Sequence, residues 1–307
     1  MTTDRRPGAS DTPEGPPAGQ IMSLQNVTKR FGQQYAVREV SFEVPRGIIF
    51  GYIGPSGSGK TTTIRMLTGV YGPTEGSLSV MGHDPTRFTQ ALRQRIGYMP
   101  QHFTLYPSLS VSQNLNFAAS LYGMGLRRGK RLRELLELVD LEDHRHKPAG
   151  KISGGMQRRL SLAATLVHDP ELIFLDEPTA GIDPVLRLKL WEYLRALRDE
   201  GRTLFVTTQY VSETAYCDLV GVMNEGRLIA LDTPDGLRKQ ALGGELVDVR
   251  TTAALSHPTM QALRAFPTVR RAQRLDERGV RLTVEEASTA IPAILHDLRE
   301  QAIEVES

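Results

Sequence analysis

A single cysteine, Cys217, stands in a chain of 307 residues. No internal disulfide is available, so the fold does not depend on an oxidising compartment, and Cys217 reads as a small buried apolar residue. Long apolar runs are also missing: the stretches from Leu160 to Val167 and from Leu172 to Leu175 fall far short of the roughly 20 residues that span a bilayer. Charge of one sign is not in excess, with 37 basic residues against 35 acidic ones and a formal net charge of +2. Nothing here demands a nucleic-acid partner. No heptad pattern is sustained, which excludes a long coiled-coil arm. Arg5 and Arg6 could open a twin-arginine export signal, but Pro7 to Gly19 is rich in proline, glycine and polar residues where such a signal needs an apolar segment. Residues 1–20 are therefore expected to be a disordered cytoplasmic tail.

What is present is a chain of ordinary globular composition, 40% hydrophobic and 23% charged, long enough for one large domain and a small appendage. From Met22 to Val44, short alternating patterns with Val37, Val40, Phe42 and Val44 on one face predict antiparallel strands. The run Ile48 to Ile53 predicts a fully buried strand that empties into a glycine-rich loop and then a helix from Thr61 to Leu67. Residues 86–168 are expected to hold a mostly helical insert, in which Leu132, Leu135, Leu136 and Val139 share one helix face. Beyond it the order is strand Leu172–Leu175, helix Pro184–Arg198, strand Thr203–Thr207 and hairpin Leu219–Ala230, which predicts a mostly parallel sheet packed by helices. The main domain is expected over 21–243. After Gly243 and Gly244 the order becomes βαββαβ, ending in a strand from Ile303 to Glu306, so 244–307 is predicted to be a small ferredoxin-like α+β domain.

The segment Gly54-Pro55-Ser56-Gly57-Ser58-Gly59-Lys60-Thr61, followed by Thr62, fits G-x-x-x-x-G-K-[ST] between a predicted strand and a predicted helix. Such glycines let backbone N–H groups curl around phosphates at a helix N-terminus, while Lys60 reaches the β/γ-phosphates and Thr61 offers its hydroxyl to Mg²⁺. The run Leu172–Leu175 ends in Asp176 and Glu177. Read alone, that could be a solvated turn; beside a phosphate loop, Asp176 can hold Mg²⁺ through water and Glu177 can polarise an attacking water. Ser153, Gly154 and Gly155 open a further helix and offer a second anion site, or simply a helix cap. A spare phosphate cradle predicts that it serves the nucleotide of another copy, with two chains packed head to tail.

Together the phosphate loop, Ser153-Gly154-Gly155-Met156-Gln157, Leu175-Asp176-Glu177-Pro178-Thr179 and Ala180-Gly181-Ile182-Asp183-Pro184 resemble the ATPase domain of ABC transporters over about residues 21–235, in particular the separate ATP-binding subunits of the drug-exporter type. The resemblance implies a P-loop NTPase fold of ABC type: an α/β core, an antiparallel N-terminal β subdomain and a helical subdomain. It also implies ATP and Mg²⁺ as ligands, a head-to-tail homodimer, and peripheral attachment to the cytoplasmic face of the cell membrane through a separate transmembrane permease. Residue by residue, it implies that Phe31 stacks on adenine, although the same residue could serve a core. Gln101 would contact Mg²⁺ and the attacking water and relay nucleotide state to the permease, and Asp183 would couple the two sites across the dimer. Lys60, Glu177, Gln101 and Gln209 are the implied catalytic set; Thr61, Gln101 and Asp176 are the implied metal set. Gln209 departs from the family, which usually has a histidine there to touch the γ-phosphate. A glutamine amide still donates a hydrogen bond but cannot carry charge or exchange a proton. Slower hydrolysis is the expected cost. A non-catalytic module that dimerises or regulates on binding ATP is the alternative, and Glu177 argues against it. The domain 244–307 is left as a regulatory or dimer-stabilising appendage.

Overall fold

A computed structural model describes residues 19–125, 128–301 and 303–306. Most of the tail expected over 1–20 lies outside these. Its last residue does not belong to a tail, because Gln20 opens strand β1, and the Gly19 carbonyl accepts from the Arg46 N–H at 3.0 Å. The chain divides into two compact units, Met1–Leu231 and Asp232–Ser307.

The first unit begins with β1 (Gln20–Phe31) and β2 (Gln34–Pro45), followed by the short buried β3 (Ile49–Ile53), helix α1 (Lys60–Leu67) and β4 (Glu75–Val80). β2, β1 and β4 form a three-stranded antiparallel sheet in that order. In β2 the buried residues are Val37, Val40, Phe42 and Val44, the alternation that a sheet with one core-facing side requires. The chain then adds a short helix α2 (Gln90–Arg93), β5 (Ile96–Met99), α3 (Val111–Leu121), α4 (Gly129–Leu138) and α5 (Gly154–Leu166). It closes with β6 (Leu172–Asp176), α6 (Pro184–Asp199), β7 (Thr203–Thr208), β8 (Leu219–Asn224) and β9 (Arg227–Asp232). The central sheet runs β5-β6-β7-β3-β8-β9. Its first five strands pair in parallel, which buries both faces and explains the unbroken apolar runs of β3, β6 and β7.

The expected helical insert over 86–168 is corrected at one place. Ile96–Met99 is not helical but pairs with β6 as the edge of the central sheet, so the helical part is α3 to α5. Ser110 and Gln113 close a capping box that starts α3, and Asp183 caps α6, with Pro184 at its first turn.

Five aromatic rings join the two sheets. Phe42 of β2 lies 5.2 Å from Phe50 and 5.6 Å from Tyr52, both on β3, and Phe205 of β7 lies 5.1 Å from Phe50 and 5.8 Å from Phe174 on β6. Trp191 of α6 is fully buried and stacks on Tyr216. Cys217 is buried, and burial pushes its thiol up to about 12.

The second unit holds α7 (Pro234–Leu242), β10 (Glu245–Arg250), α8 (His257–Ala265), β11 (Val269–Arg274), β12 (Gly279–Val284) and α9 (Ala287–Glu300). β12 lies between β10 and β11 and is antiparallel to both, the split βαβ pairing of a ferredoxin-like unit. The strand expected over Ile303–Glu306 is reduced to an isolated antiparallel bridge between Val305 and Thr251. Val249, Val280, Leu282 and Val284 face Leu263, Ile294 and Leu298 in a core of their own. The unit begins earlier than 244, because α7 is tied to β10 through the ion pair of Lys239 with Glu245. Among the described residues no helix is long and apolar enough to cross a membrane.

Truncating Phe205 to Ala removes the ring on which the aromatic cluster turns. The unfolding transition of the first unit is expected to lose about 3–5 kcal/mol, whereas Leu121→Ala, at a side chain 65% exposed, should stay within about 0.5 kcal/mol of wild type. Urea denaturation followed by tryptophan fluorescence, which reports on Trp191, measures both.

Candidate functional site

Parallel register sets the site. Ile53 stands opposite Thr208, and Asp176 opposite Thr207, so the C-terminal ends of β3, β7 and β6 lie side by side, where open α/β sheets place their ligands. Two backbone bonds tie these ends together. Gly54 N–H donates to the Thr208 carbonyl at 3.3 Å, and Glu177 N–H to the Thr207 carbonyl at 3.2 Å.

The loop from Gly54 to Gly59 needs the glycines at its two ends for space as well as conformation. A Cβ on Gly54 would stand 2.3 Å from the Met223 carbonyl oxygen, and one on Gly59, at φ +103°, 2.4 Å from that of Ala36. Gly59 caps α1 without a side chain, so the helix N-terminus carries no substitute for an anion. Lys60 begins that helix and is almost fully buried. Its ammonium donates to the carbonyls of Gly54 at 2.8 Å and Pro55 at 2.9 Å and lies 3.8 Å from Glu177 Oε1. Burial holds the Lys60 pKa below its ordinary value, and Glu177 and Asp176 oppose that shift.

Asp176 is wholly buried. Its Oδ1 accepts from Thr207 Oγ1 at 2.6 Å and from Thr61 Oγ1 at 3.3 Å, while its Oδ2 has no partner. Glu177 sits at φ 52°, a left-handed conformation unusual for a non-glycine residue, and its N–H also meets Thr207 Oγ1 at 2.9 Å. The side chain accepts at Oε2 from Gln101 Nε2 at 3.3 Å and from Gln209 Nε2 at 3.1 Å. Gln101, Glu177 and Gln209 therefore meet over Lys60. One further cation reaches the same place: Arg158 of α5 donates through Nη1 to the Gln101 carbonyl and through Nη2 to the carbonyls of Asp176, at 2.7 Å, and Glu177.

A cleft of about 170 Å³ opens over the loop, lined by Ser56, Gly57, Gly59, Lys60, Thr61, Thr62, Gln101 and Glu177, with Gln34, Tyr35 and Ala36 as its outer wall. Phe31 is not part of that lining. It is 47% exposed at the end of β1, edge-on to Tyr71 at 5.3 Å with the Lys29 ammonium over both rings. The aromatic that does line the cleft is Tyr35, whose ring carries the Arg38 guanidinium at 4.3 Å. Ser153, Gly154, Gly155 and Asp183 are likewise absent from the lining. Ser153 Oγ accepts from Met156 N–H at 3.3 Å and caps α5, Gly155 packs against the Gly181 carbonyl, and Asp183 caps α6 through Leu186 N–H at 3.0 Å.

Three residues escaped the sequence reading. Thr207 ends the strand expected over Thr203–Thr207, Arg158 lies on the helix that Ser153 opens, and Tyr35 falls in no motif. The only signal for Thr207 was its place on the strand predicted to end beside the phosphate loop.

The donor set suits a magnesium ion. Asp176 Oδ2 is a buried carboxylate oxygen without a partner, Thr61 Oγ1 is beside it, and hard oxygen ligands of this kind are what Mg²⁺ takes. Among the described residues no three His, Cys, Asp or Glu side chains cluster to hold a metal unaided; an ion here would draw its remaining ligands from phosphate and water.

The family model for ABC transporters matches residues 37–180. The chain is 38% identical over 291 residues to the daunorubicin resistance ATP-binding protein DrrA3 of Streptomyces coeruleorubidus, covering 94% of this chain and 91% of the relative. It is 39% identical over 238 residues to the probable multidrug ABC transporter ATP-binding protein YbhF of Escherichia coli, covering 77% of this chain but only 41% of that longer protein. Among solved structures, the dimeric post-hydrolysis state of the ATP-binding cassette MJ0796 bound to ADP and Pi superposes with a TM-score of 0.65 at 26% identity, covering 70% of this chain and 99% of the cassette.

Gly59→Ala tests the loop. A Cβ there meets the Ala36 carbonyl, and the strained backbone should cost about 1–3 kcal/mol. The rise in thermal midpoint that MgATP gives the wild type should disappear, as differential scanning fluorimetry would read.

Proposed function

The chain belongs to the ABC transporter family, and we propose that it is the ATP-binding and ATP-hydrolysing subunit that energises export through a separate membrane permease. The observation that carries the proposal is the meeting of Gln101 and Gln209 on the carboxylate of Glu177, with Lys60 beneath it and the Thr61–Asp176 pair alongside.

The phosphates of ATP would lie over the amides of residues 54–62, and the Lys60 ammonium would exchange its bonds to the Gly54 and Pro55 carbonyls for β- and γ-phosphate oxygens. Magnesium held by Thr61, Asp176 and Gln101 would supply neutralising charge to those oxygens. Glu177 accepts two amide hydrogens on one oxygen, and its other oxygen, 3.8 Å from the Lys60 ammonium, would orient a water. Either Phe31 or Tyr35 would stack on the adenine; exposure favours both, and the lining of the cleft favours Tyr35.

Ser153, Gly154 and Gly155 at the start of α5 would close over the nucleotide of a second copy, with Asp183 at the seam, and the dimeric MJ0796 cassette supports such an assembly. Hydrolysis would reopen the pair and move the permease between its two faces. The names of the relatives, multidrug and daunorubicin resistance, support a drug as cargo, and the subunit would sit on the cytoplasmic face of the membrane, held by its permease. Asp232–Ser307 would regulate or stabilise the dimer.

A non-catalytic ATP-dependent module remains the second reading, and Gln209 is what favours it. Steady-state hydrolysis by the purified chain separates the two. Wild type should turn over with Mg²⁺, Glu177→Gln should lose about 100-fold or more in kcat and accumulate an ATP-bound dimer on size exclusion, and Gln209→His should exceed wild type. Turnover of Gln209→His at or below wild type would sink the view that glutamine limits the rate. Absence of hydrolysis by wild type, alone and with its permease, would establish the non-catalytic reading.

A further inference from the structure

The guanidinium of Arg158 lies behind the catalytic carboxylate rather than in front of it. Arg158 is one helical turn past the Ser153 cap of α5. All three of its acceptors are main-chain carbonyls, and they come from two separate segments: Gln101, just beyond β5, and Asp176 and Glu177, at the end of β6. Gln101 and Glu177 are also the two residues whose side chains bond at 3.3 Å over Lys60.

The same cation therefore holds the peptide groups from which both side chains depart. A guanidinium is suited to this because its donors lie in one plane at fixed angles, so two segments held by it are held relative to each other. Glu177 has particular need of it. Its φ of 52° is a conformation that a non-glycine residue keeps only where surrounding bonds over-determine it. Thr207 fixes the Glu177 N–H, and Arg158 fixes the carbonyl on the other side.

Stability alone does not account for the residue. Burial pushes the Arg158 pKa down, opposed by Asp176 and Glu177. Its Nε is buried without a partner, and among the described residues it makes no ion pair with a carboxylate. A half-buried cation in that position is expensive for a fold to keep. The adjacent Arg159 behaves differently, bonding the Val139 and Asp140 carbonyls and the Asp140 carboxylate away from the site.

We propose that Arg158 is a positioning residue for hydrolysis, orienting Glu177 and Gln101 through their main-chain carbonyls without touching the nucleotide. This rests on the reading of the chain as an ATPase.

The experiment measures kcat and KM for ATP, and the thermal shift given by MgATP, in the full chain carrying Arg158→Met, Arg158→Lys or Arg159→Met, beside wild type. Arg158→Met should lose about 10- to 100-fold in kcat, the loss seen when a positioned catalytic group is misplaced, with KM within about two-fold of wild type and the MgATP shift retained. Arg158→Lys keeps the charge but not the planar fork, and should keep the wild-type thermal midpoint while remaining at least about 10-fold slow. Arg159→Met should turn over as wild type does. The proposal is overturned if Arg158→Met retains wild-type kcat, if its kcat, nucleotide binding and thermal midpoint fall together, or if lysine restores full turnover. Should the methionine variant fail to fold, the lysine variant decides alone. A wild type that does not hydrolyse ATP overturns the ATPase reading itself, whereas a fast Arg158→Met beside a fast wild type overturns only the role of Arg158.

Discussion

The site depends on one hydroxyl. Thr207 Oγ1 donates to the Asp176 carboxylate at 2.6 Å and accepts from the Glu177 N–H at 2.9 Å, so a single side chain on β7 sets both the carboxylate that faces Thr61 and the backbone of the carboxylate that faces Lys60. It can do so only because β6 and β7 pair in parallel with Asp176 opposite Thr207, while β7 pairs with β3 so that Ile53 stands opposite Thr208. A slip of one residue in either pairing would turn Thr207 to the other face of the sheet. The aromatic cluster of Phe42, Phe50, Phe174 and Phe205 guards against that slip, since each ring has its neighbours only in the observed register.

The charges around this point are arranged to be nearly balanced but not fully satisfied. Lys60 and Arg158 face Asp176 and Glu177 in a region that is mostly buried, and such groups are tolerated only when paired or hydrogen-bonded. Lys60 borrows the Gly54 and Pro55 carbonyls, and Asp176 Oδ2 has no partner at all. Arg158 Nε, behind the carboxylates, is likewise without a partner. Bonds that could be lost without harm, those of Lys60 to its own loop, are the ones a phosphate would replace, whereas the bonds behind the carboxylates, from Thr207 and Arg158, hold the Asp176 side chain and the main chain of residues 176 and 177.

Linear motifs made the front of the site legible. Gly54 to Thr61 and the Asp176-Glu177 pair are each contiguous, and the physical reason for their residue types is local. The back of the site is assembled from distant segments. Gln101 carries no local signal and came only from a resemblance. Arg158 and Arg159 are neighbours on a helix, and no periodicity says which of them turns toward β6. β5 was hidden because Ile96-Gly97-Tyr98-Met99 is four residues long and contains a glycine, too short for an alternation to register. Phe31 drew attention through its motif, yet Tyr35 lines the cleft, because β1 and β2 are joined by a tight turn that brings both aromatics to the same end. The ferredoxin-like unit was legible in its order of elements, and its last strand shortened to a bridge.

Gln209 then has a specific physical consequence. Its amide donates to Glu177 Oε2 beside the amide of Gln101, and neither amide titrates. With a histidine at 209, the donor facing Glu177 would depend on tautomer and protonation, and lowering the pH through the imidazole range would add a positive charge next to the carboxylate. With glutamine, the two amide donors that orient Glu177 are the same on either side of neutrality, and its charged neighbours are Lys60, at 3.8 Å, and Arg158 behind the main chain. The carboxylate is steered by two amides on one side and faced by Lys60 and Arg158 on the other, an arrangement that gives up proton exchange at 209 in return for amide donors that never change state.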